Sequence, residues 1–276
     1  MLYVAFSDRE KERRLTVMRY DGTGWEEVGE PGFSHGEVDD ISLAVEEGIP
    51  YVAFGDGAHG RRITVMRYNG ERWETIGQPG FSGNYRGNAF AISDIRLVVE
   101  NGIPYVAYPE ENQLKDGDPP IKKPVVMRYN GEEWERLGRE SDFTNEIFWL
   151  DLAVEDGISY IIYDDPHDPT VMRYNGKEWE PVGEPHFASS AIFYPNIVIY
   201  KGTPYAAFKL LHGLRGVDVF LYKYDGIKWD IVPRQPLLLN IPHRGDADYV
   251  SLAIDDGVPY IACVAAYGKI KVVKYD

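Results

Sequence analysis

Carboxylates recur along this chain at matching places. Asp8, Asp56, Glu110 and Asp164 each close a run of apolar and aromatic residues such as YVAFGD (51–56), and a fifth run carries Lys209 instead. Asp39 and Asp40, Asp94, and Asp248 stand just before other apolar runs. Several carboxylates around one opening could supply two kinds of chemistry. Six to eight oxygens hold Ca²⁺, and a pair of carboxyl groups roughly 5–10 Å apart can cleave a glycosidic bond. Later copies of the same places carry aromatics: Phe148 and Trp149, then Phe193 and Tyr194, while Tyr249 follows Asp248. Sugar rings stack on aromatic faces and donate hydroxyls to carboxylates, so a mixed acidic and aromatic rim suits a carbohydrate. The competing explanation is structural, because Asp and Asn also form turns at strand ends.

Asp164, Asp165, His167 and Asp168, within DDPHDP (164–169), are the local metal candidate, although their spacing matches no known ligand loop. The six histidines, His35, His59, His167, His186, His212 and His243, all fall in expected loops and form no HxH or HExxH pair. SxDxGxTW boxes, a GxSxG elbow and a P-loop are absent from the sequence. A net charge of −15 argues against a phosphate-backbone partner. No apolar run approaches the ~20 residues that span a bilayer. The single cysteine, Cys263, lies in an apolar run, which makes a buried, inert thiol the expectation.

These residues ride on a repeat. VMRYDGTGW (17–25), VMRYNGERW (65–73), VMRYNGEEW (126–134), VMRYNGKEW (171–179) and LYKYDGIKW (221–229) are five copies of one unit, with VVKYD (272–276) a sixth, shorter one. Around 41–77 the unit reads as four short strands, a to d: ISLAVEEG, IPYVAFGD, ITVMRYNG and ERWETIG. Period-2 alternation, β-branched enrichment and turn residues between the runs make this an all-β pattern. Asn69-Gly70 predicts a type I′ hairpin, which would set Met66 opposite Trp73 and likewise Met18/Trp25, Met127/Trp134, Met172/Trp179 and Tyr222/Trp229. Basic residues recur in strand c (Arg19, Arg67, Arg128, Arg173, Lys223, Lys274), and acids follow the tryptophans (Glu26, Glu74, Glu135, Glu180, Asp230). They are expected to pair between neighbouring blades.

Four-stranded antiparallel meanders with a long return from d to a are the blades of a β-propeller. The b-strand tyrosines, Tyr3, Tyr51, Tyr105, Tyr160, Tyr205 and Tyr260, are spaced by 48, 54, 55, 45 and 55 residues, about one blade each. On this text the chain resembles bacterial β-propeller repeats of the form PYVAY-D…TVMKYDG-W--VG--GFS. That resemblance implies a propeller and a secreted or cell-surface setting, although no signal segment is present, and it implies no catalytic motif. The expected fold is a six-bladed propeller with incomplete terminal blades, five blades being the alternative. It would be one domain, 1–276, with units near 1–40, 41–93, 94–148, 149–194, 195–247 and 248–276. A monomer is expected, or a strand-exchanged dimer if the ring does not close. The d–a and b–c loops share one face and hold the insertions 55–62, 83–93, 109–124, 209–217 and 233–247. Function is expected there.

The candidate rim is Asp8, Asp40, Asp56, Asp94, Glu110, Phe148, Trp149, Asp164, Tyr194, Asp248 and Tyr249. Ca²⁺ on its acidic part is the cofactor it would suit. The regular repeats and the missing nucleophile–base constellation favour a non-catalytic module for a carbohydrate or polypeptide. The alternative is a glycosidase-like hydrolase or lyase working with carboxylates at the channel mouth.

Overall fold

In each VMRYNG unit an Asn or Asp side chain builds the turn. The Asn69 Oδ1 accepts the backbone N–H groups of Glu71 and Arg72, both at 2.9 Å. Asn130, Asn175 and Asp225 do the same two and three residues on. Asp21 takes Thr23 and Gly24, and the Thr23 backbone bond leads the set that pulls its pKa down to about 2. This Asx geometry centres the turn on Gly70-Glu71 rather than Asn69-Gly70. The register therefore differs from the type I′ expectation: Tyr68 faces Trp73 and Met66 faces Thr75. Instead of sulfur–aromatic pairs, each hairpin carries a tyrosine–tryptophan pair. Tyr20/Trp25, Tyr68/Trp73, Tyr129/Trp134, Tyr174/Trp179 and Tyr224/Trp229 have ring centroids 5.5 or 5.6 Å apart.

The computed structural model describes residues 1–83, 95–112, 121–143, 147–165, 168–188, 192–211, 217–232, 237–241, 249–265 and 269–275. The fold is all-β, a six-bladed β-propeller, so the five-bladed alternative falls away. Blade 1 is β1 (Leu2–Asp8), β2 (Arg14–Tyr20) and β3 (Trp25–Glu27). Blade 2 is β4 (Val38–Glu46), β5 (Ile49–Asp56), β6 (Arg62–Tyr68) and β7 (Trp73–Thr75). Blade 3 is β8 (Arg96–Glu100), β9 (Ile103–Asn112), β10 (Ile121–Tyr129) and β11 (Trp134–Arg136). These three lie in one compact unit, Met1–Glu140, and the other three in a second, Ser141–Asp276. Blade 4 is β12 (Leu150–Glu155), β13 (Ile158–Asp165), β14 (Asp168–Tyr174) and β15 (Trp179–Pro181). Blade 5 is β16 (Ile192–Tyr200), β17 (Thr203–Leu211), β18 (Val217–Tyr224) and β19 (Trp229–Ile231); β20 (Leu237–Ile241), inside an expected loop, also pairs with β18. Blade 6 is β21 (Val250–Asp255), β22 (Val258–Ala265) and β23 (Lys269–Lys274). As expected, blade 1 has no a-strand and blade 6 no d-strand among the described residues.

The core lies between the faces of successive blades. Leu15 and Val17 of blade 1 pack on Val52, Phe54 and Trp73 of blade 2. Val65 of blade 2 packs on Leu97 and Val106 of blade 3, and the second unit repeats the scheme. A polar lock fixes the spacing. The Trp73 Nε1–H donates to the Val28 carbonyl at 2.7 Å, Trp134 to Ile76 at 3.0 Å and Trp229 to Val182 at 2.8 Å. Phe33, Phe81 and Phe187 stack on those three indoles at 4.3, 4.2 and 4.6 Å. Gly29, Gly77 and Gly183 lie beneath, where a Cβ would come within 2.9, 2.9 and 2.8 Å of a ring atom. Their φ values of 75°, 67° and 74° also favour glycine.

The expected ion pairs form, but inside blades. Arg19 binds Glu26, Arg128 binds Glu135 at 2.8 Å and Arg173 binds Glu180 at 2.6 Å, because cross-strand register sets each pair opposite. Glu74 and Asp230 are taken by the turn residues Arg72 and Lys228. Between blades the acids cap backbone instead: Glu46 accepts the Asn101 and Gly102 N–H groups, and Glu155 those of Lys201 and Gly202.

Trp25 is 50 % exposed and its indole has no hydrogen-bond partner among the described residues. Trp73→Phe, which keeps the stack but strands the Val28 carbonyl, is expected to cost about 1–2 kcal/mol in denaturant unfolding. Trp25→Phe is expected to stay within about 0.5 kcal/mol. Equal losses in the two variants would contradict the lock.

Candidate functional site

In the first unit Asp8 and Asp56, which close b-strands, are bound within their own b–c connections. Asp56, 1 % exposed, accepts the Ala58 N–H at 3.0 Å and the Thr64 hydroxyl at 2.8 Å, and contacts His59 Nδ1 at 2.8 Å. It caps the short helical turn Gly57–His59. Asp8 repeats this with the Glu10 N–H and the Thr16 hydroxyl. Glu110 accepts from Arg136 at 3.2 Å. Turn formation and loop anchoring account for Asp8 and Asp56, and Glu110 is paired with a d-strand arginine. Asp94 lies outside the described residues.

The start of strand β4 is different. Pairing between β4 and β5 shifts between Asp39 and Ser42, leaving Asp40 in a bulge with φ 46°. Asp39 pairs with Gly55, and a Cβ at Gly55 would sit 2.1 Å from the Asp39 Oδ1. Glycine there is the space the carboxylate occupies. Oδ2 meets Arg61 at 3.0 Å, whereas Oδ1 is buried without a hydrogen-bond partner among the described residues. Arg61 also reaches Glu37 at 3.6 Å, and Arg13 reaches Glu37 at 3.7 Å. Burial first, and the Asp40 charge second, push the Asp39 pKa above its ordinary value against the pull of Arg61. One carboxyl leans toward its acid form beside a second carboxylate on a strained backbone, an arrangement suited to proton donation.

In the second unit Asp164 aligns with Gly55, not with Asp56. Its Oδ1 accepts the Phe148 and Trp149 N–H groups at 2.8 and 2.7 Å, shaping the approach to β12. Asp165 is the counterpart of Asp56. His167 lies outside the described residues. The histidine that the structure brings to this corner is His186, 3.8 Å from Asp165 and 3.6 Å from Asp168. Its φ of 59° falls where blades 1 and 2 have Gly32 and Gly80. There a Cβ would strike Lys11 or His59 at 2.8 Å. Among the described residues, no three His, Cys, Asp or Glu side chains converge as a metal-ligand set.

The aromatic part of the expected rim does assemble within this unit. Trp149 and Tyr194 have ring centroids 4.5 Å apart, and Tyr194 and Tyr249 5.6 Å. The Lys209 Nζ stands 5.6 Å from the Tyr194 ring centroid. Phe148 is exposed beside them. Asp248 lies outside the described residues. Sequence reasoning missed Asp39 as the distinctive acid and His186 as the histidine. Gly55 opposite Asp39, and EPHF (184–187) against EPGF (30–33), were the available signals.

No family model and no curated protein sequence matches this chain significantly. Among solved structures it is similar to an exo-1,5-α-L-arabinanase from a bovine ruminal metagenomic library, 15 % identical with a TM-score of 0.45, over 88 % of this chain and 93 % of that one. It is similar to a xylan β-1,4-xylosidase from Bacillus halodurans C-125, 15 % identical with a TM-score of 0.48, over 86 % of this chain and 52 % of that one. The chain thus spans about half that enzyme's length. A mutant of the Aleuria aurantia lectin in complex with Fucα1-6GlcNAc is 13 % identical with a TM-score of 0.58, over 99 % of this chain and 87 % of that one. At such identities the likeness is one of propeller fold. The expectation of a non-catalytic module is nonetheless corrected. Glycoside hydrolases as well as a lectin stand among the similar structures.

Asp39 also has a consequence for stability. With its folded pKa raised above the unfolded value, the folded chain holds more proton, so stability falls as pH rises through that window. Asp39→Asn is therefore expected to raise the melting temperature more at pH 7 than at pH 4. An equal change at both pH values would contradict the raised value.

Proposed function

We propose that this protein hydrolyses glycosidic bonds, with Asp39 as general acid and Asp40 as its carboxylate partner. The observation that carries this reading is Asp39 itself, which is partly buried, lodged in the gap left by Gly55 and pushed toward its protonated form. In the reaction Asp39 gives its proton to the departing glycosidic oxygen. Water supplies oxygen to the anomeric carbon and returns its proton to a carboxylate. Arg61 holds the Asp39 carboxyl in place through Oδ2 and draws Glu37 toward the same spot. The bulge at Asp40 costs of order 1–3 kcal/mol, and such bulges re-aim a side chain beside an active site. Membership of the bacterial PYVAY…TVMKYDG propeller repeats belongs to the same proposal, supported by the repeat text alone.

A panel of aryl glycosides and arabinan- and xylan-derived oligosaccharides tests it. At least one substrate should turn over, with Asp39→Asn lowering kcat at least about 100-fold and Asp40→Asn causing a comparable loss. The alkaline limb of the wild-type pH profile should report loss of the Asp39 proton. Turnover unchanged in Asp39→Asn, or no turnover of any panel member, would contradict the assignment.

A further inference from the structure

The start of the inner strand repeats one backbone feature with different side chains. Asp40 in blade 2, Tyr194 in blade 5 and Tyr249 in blade 6 are all non-glycine residues at positive φ, 46°, 52° and 75°. A bulky side chain in the left-handed region is an outlier, and each such residue costs of order 1–3 kcal/mol unless its surroundings over-determine it. Here they do. The register of β16 on β17 shifts between Phe193 and Asn196, so Tyr194 sits in a bulge as Asp40 does. The Asn196 side-chain amide then donates to the Tyr194 carbonyl at 3.1 Å and to the Val250 carbonyl at 2.7 Å. One amide thereby ties down the backbone of the first strained tyrosine and the residue next to the second. In blade 4 the Asp164 carboxylate fixes the Phe148 and Trp149 N–H groups.

The result is a wall of three rings in the order Trp149, Tyr194, Tyr249. Packing alone does not account for it. Tyr249 is 46 % exposed and Phe148, beside Trp149, is also 46 % exposed, so the wall is open at both ends. Trp149 and Tyr194 are half-buried between them. Tyr194 is packed from within by the blade 5 and blade 6 core and has the Lys209 ammonium at its ring, so the row meets solvent mainly through Tyr249 and through Phe148 beside Trp149. Aromatic faces with polar tips are the surfaces on which sugar rings stack.

We propose that Trp149, Tyr194 and Tyr249 form a subsite for an oligosaccharide chain. Three rings in a row offer more face than one monosaccharide covers, so the ligand is a run of sugar units and not a single sugar. This inference rests on the carbohydrate reading given above, and it assigns this subsite to binding alone.

The test is isothermal titration of the full chain with arabinohexaose, xylohexaose and cellohexaose, each beside the corresponding free monosaccharide. At least one hexasaccharide should bind, at least about tenfold more tightly than its monosaccharide. Trp149→Ala and Tyr249→Ala should each weaken it about tenfold or more, equivalent to roughly 1.4 kcal/mol. Trp149→Phe should recover part of the loss, and near-UV circular dichroism should confirm that the variants keep the packed fold. No binding of any hexasaccharide, or binding unchanged in both alanine variants, overturns the subsite. Weakened binding in Trp149→Ala together with full turnover in Asp39→Asn leaves the subsite standing and removes the catalytic assignment.

Discussion

The indole lock between blades is the constraint on which the remaining structure depends. A tryptophan at the start of a d-strand reaches the preceding blade's d-strand, gives its N–H to a carbonyl and stacks on a phenylalanine a few residues further on. One side chain thus fixes both the distance and the angle between neighbouring sheets. The glycine under the ring belongs to the same device, since any Cβ there would press into the aromatic pair. Repetition at Trp134 and Trp229 makes blade packing a series of nearly identical contacts, as expected where each unit buries its faces against its neighbours. The long d–a connection runs directly on from the locked segment, so the inner-strand start that follows is positioned by it.

With the frame set by outer strands, the inner-strand starts are free to differ. The same positive-φ position carries Asp40 in blade 2, Tyr194 in blade 5 and Tyr249 in blade 6, and one b-strand position carries Gly55 in blade 2, Asp164 in blade 4 and Lys209 in blade 5. In blade 2 the carboxylate comes from the a-strand and glycine makes room for it. In blade 4 the carboxylate comes from the b-strand and its Oδ1 accepts two backbone N–H groups. Chemically these two acids are opposites. Desolvation acts on Asp39, which keeps one oxygen without a partner among the described residues, while the Asp164 Oδ1 accepts two N–H groups.

Much of the architecture was legible in the sequence. The repeat text, the tyrosine spacing and the turn residues gave the blade, the number of blades and the two three-stranded sheets. Register was misread because Asn-Gly was taken for a two-residue turn, whereas the Asn side chain spends its oxygen on the next two N–H groups but one. That shift moved the tryptophan from methionine to tyrosine. Of the rim aromatics, Trp149, Tyr194 and Tyr249 lie side by side. Asp56 and Asp39 differ in what surrounds them and not in type, so the glycine at 55 is the one mark in the text that sets Asp39 apart. His186 shows in the sequence only as a histidine in a slot that is glycine in blades 1 and 2.

The central claim is that blade 2 holds Asp39 toward its acid form. Carbon-13 NMR of the aspartate carboxyl groups, with the Asp39 signal assigned by its loss in Asp39→Asn, measures this directly. The account predicts that Asp39 titrates above the ordinary carboxylate range of about 3.9 and that Asp40→Asn moves it down. Titration at or below the ordinary value would contradict the account.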